Sequence, residues 1–251
     1  MRRLLIAVVI ASLALPAFAR GNLKELTVQL KYVPQEGVHT SSADMPPGML
    51  DQTVAVKVED ARKLPDLTVI GHGTGGDDKS FPIHADREVR GFVQETLAGI
   101  GNEWSLKQEG TPVRKLNIQI AGFDIDESNK ALGSLYSADA KLAFTLTDAQ
   151  GRVLASGVGS GSTHRYGRAH SPDNINEVLS DALKEAYANV LADQALQTAW
   201  VSGKSSGSAR ATAAPAESVE ERLRKLDDLL KKGLITKEEY QKRRAEILKE
   251  I

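Results

Sequence analysis

Several groups of residues in this sequence have types and spacings that could do chemistry. Gly71-His72-Gly73-Thr74-Gly75-Gly76 has the glycine spacing of a phosphate cradle. Such a cradle works because a helix starts at once and aims its N-terminal amides at the pyrophosphate. Here Asp77, Asp78 and Pro82 stand where that helix must begin, so the stretch reads as a flexible loop and no cofactor is expected. His164-Arg165-Tyr166-Gly167-Arg168-Ala169-His170-Ser171 offers two histidines, with Asp173 as the nearest further metal ligand. Two arginines repel a cation there, and no metal is expected. The same arginines beside the start of a helix suit an anion, which makes Arg165, Arg168 and Ser171 the candidate ligand-binding residues. The carboxylate pairs Asp124/Asp126 and Asp77/Asp78 fall in apparent loops, where they face solvent. A glycosidase would place such a pair in a cleft with aromatic platforms, and aromatics make up 5% of the chain. Serines are plentiful, but no G-x-S-x-G elbow exposes one as a nucleophile. No catalytic residue is assigned, and the expectation is a protein that is not an enzyme.

The elements that must position these residues follow from hydrophobic period. Glu25–Val33 alternates as a half-buried strand, with Leu26, Val28, Leu30 and Tyr32 on one face. Pro34–Met49 reads as a long loop. Strands are expected at Thr53–Val58 and Leu67–Ile70, then a helix capped by Asp86 and running to about Ile100. Its core face is Val89, Phe92, Val93, Leu97 and Ile100. Lys115–Gly122, Tyr136–Thr147 and Arg152–Gly161 form an antiparallel set, the last two joined by the turn Asp148-Ala149-Gln150-Gly151. Ser171-Pro172-Asp173 opens the clearest helix, with serine as N-cap and proline at the first position. Runs of strands and two amphipathic helices, each with one apolar face, predict an α+β fold. Its mostly antiparallel sheet carries both helices on one side, and a C-terminal two-helix hairpin follows.

Composition bounds the setting. Residues 1–19 carry the basic Arg2-Arg3, the apolar stretch Leu4–Leu15 and the small-x-small Ala17-Phe18-Ala19, the pattern of a secretory signal peptide. That apolar run is shorter than a bilayer span of roughly 18 residues, so cleavage after Ala19 and a periplasmic or secreted product are expected. Removal of Arg2 and Arg3 leaves 30 basic against 33 acidic residues, a net charge of −3. So balanced a chain is not expected to bind nucleic acid. There is no cysteine, which rules out disulfides, thiol catalysis and lipidation of a mature N-terminal cysteine. No integral membrane segment is expected after cleavage.

Residues 20–201 form the body, and 202–216 (SGKSSGSARATAAPA) form a linker nearly free of apolar side chains larger than alanine. In 217–251, Leu223, Leu226, Leu229 and Leu230 make a leucine stripe, and Gly233 suits a helix C-terminus. Thr236 and Glu239 make a capping box for a second helix. The turn Lys232-Gly233-Leu234-Ile235-Thr236-Lys237-Glu238-Glu239-Tyr240 resembles that of the SHOCT module (short C-terminal domain), which implies interaction or assembly and no chemistry. The apolar faces expected to meet a partner, or a second copy of the tail, are Leu223, Leu226, Leu230, Leu234, Ile235, Tyr240, Ile247 and Leu248.

The body resembles the YajG-like family of bacterial envelope proteins. The likeness rests on Val54–Arg62 (VAVKVEDAR, a strand then D-x-R), on the glycine-rich Val158-Gly159-Ser160-Gly161-Ser162, and on the helix Asn174–Leu183. It departs in one respect: those proteins are typically lipoproteins, and this chain has no cysteine to acylate. The family brings no catalytic residues. The expected function is that of an exported, non-enzymatic accessory or scaffold protein of the envelope, acting through protein contacts. The alternative is a periplasmic small-ligand or anion-binding protein using the loop of Arg165 and Arg168.

Overall fold

Alternating side chains from Leu116 onward, broken by two short connections, dictate the centre of the molecule: a long antiparallel ribbon. In the computed structural model, which describes residues 24–35, 45–75, 79–130, 132–204, 240, 241 and 244, this ribbon is β5 (Arg114–Lys130), β6 (Gly133–Asp148) and β7 (Val153–Gly167). The other strands are β1 (Leu26–Val28), β2 (Val54–Asp60), β3 (Val69–Thr74) and β4 (Ser80–Ala85). Four helices complete the described residues: α1 (Pro47–Leu50), α2 (Val89–Glu103), α3 (Pro172–Leu191) and α4 (Gln194–Ser202). The sheet runs β1-β4-β3-β5-β6-β7, and β2 also pairs with β5. Thus β2 and β3 lie end to end along one side of β5, both parallel to it. The longest ladders, β5 with β6 and β6 with β7, are antiparallel. The α+β class and the predominance of antiparallel pairing are as expected from sequence.

A single irregularity sets which side chains face inward. The register of β5 against β6 shifts between Ile120 and Gly122. Before it Leu116, Ile118 and Ile120 are buried; after it Phe123, Ile125 and Glu127 are. An extra residue in a strand of period two exchanges the faces. Asp124 and Asp126 therefore lie on β5 and point outward, where the sequence suggested loops. The inner face packs against α2 and α3 in one apolar cluster, with α2 over β2 and α3 over β5, β6 and β7. The α3 helix starts as its sequence dictates: Ser171 Oγ accepts from the N–H of Asn174, and Pro172 occupies the first turn.

The glycines of β7 let α3 come close. A Cβ at Gly161 would collide with the carbonyl oxygen of Ala182, and one at Gly159 with that of Ala186. Side chains of α3 then reach the outer edge of β7. Glu185 accepts from the N–H of Ser162 at 3.0 Å, and Asn189 donates to the carbonyl of Ser160 at 2.7 Å. The open edge of β2 is treated likewise by α2: Gln94 accepts from the N–H of Val58 at 2.8 Å and donates to the carbonyl of Val56 at 3.1 Å.

Several boundaries differ from the sequence reading, each for a physical reason. The first strand ends at Val28 rather than Val33, because the next residues bond a helix. Lys31, Val33 and Gln35 donate their N–H groups to Asn176, Ser180 and Asp181 of α3 at 2.8–3.0 Å. Asp86 does not cap α2; it accepts from the N–H of Leu30 at 3.0 Å, and α2 begins after Glu88 with no side-chain cap. The third strand is displaced to Val69–Thr74, so Gly71 to Thr74 are strand and not loop. Gly71 has φ +143, and a Cβ there would strike the carbonyl oxygen of Ile125 on β5. The next element is β4, antiparallel to β3, and not the helix a phosphate cradle needs. The D-x-R pair also gains an account. Arg62 forks onto Asp60 at 2.8–3.2 Å and donates to the carbonyls of Leu67 (2.6 Å) and Val69 (3.0 Å). Both side chains are nearly buried, at 3% and 8% exposure, so this pair fastens the end of β2 to the start of β3.

Two predictions test this packing. Gly161→Ala should lower stability by about 2 kcal/mol through overpacking. Gly99→Ala, at a helical position with nothing within 4 Å of the new methyl, should raise it by about 0.5–1 kcal/mol. Equal melting temperatures for the two variants would refute the close-approach account. Arg62→Lys cannot reproduce the planar fork. It should cost about 1–3 kcal/mol, the scale for leaving a buried acceptor unsatisfied, read as a lower denaturant midpoint at unchanged slope.

Candidate functional site

The three residues that sequence joined as an anion site lie at the end of β7 and the start of α3, but with different roles. Because β7 extends to Gly167, Arg165 sits on the strand and only Arg168 to Ser171 form the connection. Arg165 is ion-paired with Glu177 of α3 and lies 3.4 Å from Asp181, so its guanidinium already faces two carboxylates. Asp181 in turn accepts from the N–H of Gln35. Burial, the largest cause, raises its carboxyl above the usual range, with Glu177 adding and Gln35, Arg165 and Lys184 opposing. Arg168 is exposed, and its side chain makes no ion pair among the described residues. Ser171 is buried and spends its hydroxyl on the helix cap. An anion reaching this place would meet Arg168 freely and Arg165 only in competition with Glu177 and Asp181. A shallow depression of about 300 Å³ on the sheet is lined by Asp139, Lys141, Ser160, Ser162 and Glu185, and includes none of the three.

Behind the same connection lies a polar cluster that sequence reasoning missed. Glu127 is fully buried. Its carboxylate accepts from the backbone N–H of His170 at 2.6 Å, and the His170 ring Nδ1 stands 3.3 Å away. The Tyr136 hydroxyl lies 3.1 Å from Glu127 and 2.6 Å from the carbonyl of Arg168, and accepts from the N–H of Ser171 at 3.0 Å. Burial pushes the Tyr136 phenol well above its ordinary value. His170 takes a left-handed conformation at φ 54, and its ring meets the edge of Phe81 at 5.4 Å. The cluster therefore anchors the turn into α3 to β5 and β6. Its one sequence signal was parity: extended past the bulge, the alternation of β5 places Glu127 inward with Phe123 and Ile125.

The outward face of the sheet holds a further set of titratable groups. His72, Asp126, Ser137 and His164 stand in one row across β3, β5, β6 and β7, and Asp124 is directly opposite Asp139. Partial burial, the largest cause, together with Asp126 and Asp139 raises the carboxyl of Asp124, against His72 and Arg62. Among the described residues no group of three ligands is placed to hold a metal ion, and no helix is long and apolar enough to cross a membrane. Of the apolar residues expected to meet a partner, Tyr240 falls within the described residues. Leu223, Leu226, Leu230, Leu234, Ile235, Ile247 and Leu248 lie outside them, as does the signal sequence.

Comparison with known proteins bears on both parts of the chain. Residues 221–248 match the family model of the short C-terminal domain, SHOCT, so the module expected in the tail is present. No curated protein matches the chain. Among solved structures, a Xanthomonas campestris protein of the family DUF330 is similar at 12% identity and a TM-score of 0.44, covering 69% of this chain and 96% of that one. A candidate lipoprotein from Caulobacter crescentus is similar at 17% identity and 0.33, covering 47% and 88%. A minor lipoprotein from Acinetobacter baumannii is similar at 10% identity and 0.32, covering 56% and 92%. None of these names the YajG-like family for the body.

The outward carboxylates give a pH prediction. The folded-state value of Asp124 lies above its unfolded one, so this group costs stability as pH rises through the carboxylate range. Asp124→Asn should then stabilise the protein by about 0.5 kcal/mol near neutral pH, the scale of a cross-strand charge pair. The gain should shrink as pH falls through the carboxylate range, where Asp124 itself loses its charge. A gain independent of pH would show that the charge is not its source.

Proposed function

We propose that this protein is an exported, non-enzymatic accessory or scaffold protein of the bacterial envelope, acting through protein contacts. The single observation that carries the reading is the SHOCT match at 221–248, a module of assembly that follows a polar, alanine-rich linker. The character of the body supports it: the conspicuous charged groups, Arg62 with Asp60 and Arg165 with Glu177, are spent on joining elements. The signal pattern of residues 1–19 supports export, and the absence of cysteine supports release without acylation. In this reading the tail supplies self-association or a protein partner through Leu223, Leu226, Leu230 and the residues of the turn.

Two measurements test it. Full-length protein at tens of micromolar should sediment as an oligomer, or hold an envelope partner in affinity purification, and a chain ending at Ala216 should lose that property. Identical monomer masses together with identical sets of co-purified proteins would overturn the role given to the tail. Protein recovered from its host should have a mass beginning at Arg20 and should leave the cell envelope in a soluble fraction. Retention of residues 1–19, or recovery only with carbonate-washed membranes, would defeat the export reading.

A further inference from the structure

We draw no further inference here: the strongest candidate, the cluster of Asp124, Asp126 and Asp139 beside His72 on the open face of the sheet, is an acidic patch in which no three groups among the described residues are placed to hold a metal ion, and nothing in the structure shows what covers it.

Discussion

The close seat of α3 on the glycine strand β7 is the contact from which the rest of the body hangs. Backbone on backbone approach of this kind is possible only where Cβ atoms are missing, at Gly159 and Gly161. Once seated, α3 serves four neighbours with one set of side chains. Glu185 and Asn189 bond the edge of β7, Glu177 and Asp181 hold Arg165, and Asn176, Ser180 and Asp181 bond the N-terminal segment. The fourth is the turn that starts the helix, where Ser171 meets Tyr136 and, through it, Glu127. Of these side chains Ser171, Asn176, Ser180 and Asp181 are buried, and each has a backbone partner to justify its desolvation.

A second theme is the treatment of open sheet edges. Unpaired N–H and C=O groups along a strand invite another chain to add itself. Here side-chain amides and carboxylates from the covering helices take up part of that bonding capacity, Gln94 on β2 and Glu185 with Asn189 on β7. The helices thus bury the inner face and blunt two edges at once. What stays open is the outward face, polar and bearing the opposed pair Asp124 and Asp139. This division of labour is consistent with the proposed function, in which contacts with other molecules fall to the C-terminal module.

Local rules made part of this legible in the sequence. The α3 start was readable because Ser171-Pro172-Asp173 states a cap, a ring that fits the first turn and a favourable charge, followed by an unbroken apolar stripe. The β6–β7 hairpin was readable from alternation and from Asp148–Gly151. Strand β4 was not, because Pro82 argues against a strand; it is tolerated because β1 pairs only with Ile83 to Ala85 and needs no donor at Pro82. The parallel joins of β2 and β3 to β5 leave no local trace, since they are fixed by packing between distant segments. Segment 29–33 looked like a strand because it is extended and alternating, yet its partner is a helix. Glu127 was hidden by a one-residue register shift, and Arg165 looked available because the sequence does not show that Glu177 and Asp181 come to meet it.

The N-terminal segment has a consequence for the order of events when the chain folds. Lys31, Val33 and Gln35 bond residues of α3 that lie 145 to 147 positions further on. Closing so long a loop costs entropy before any contact returns it, and topologies rich in such distant pairings fold slowly. A chain emerging from its N-terminus can pair β1 with β4 once residue 85 has followed, but it cannot bond residues 31–35 until α3 is made. That segment thus waits without its native partners, and the body closes late, when its last long helix arrives.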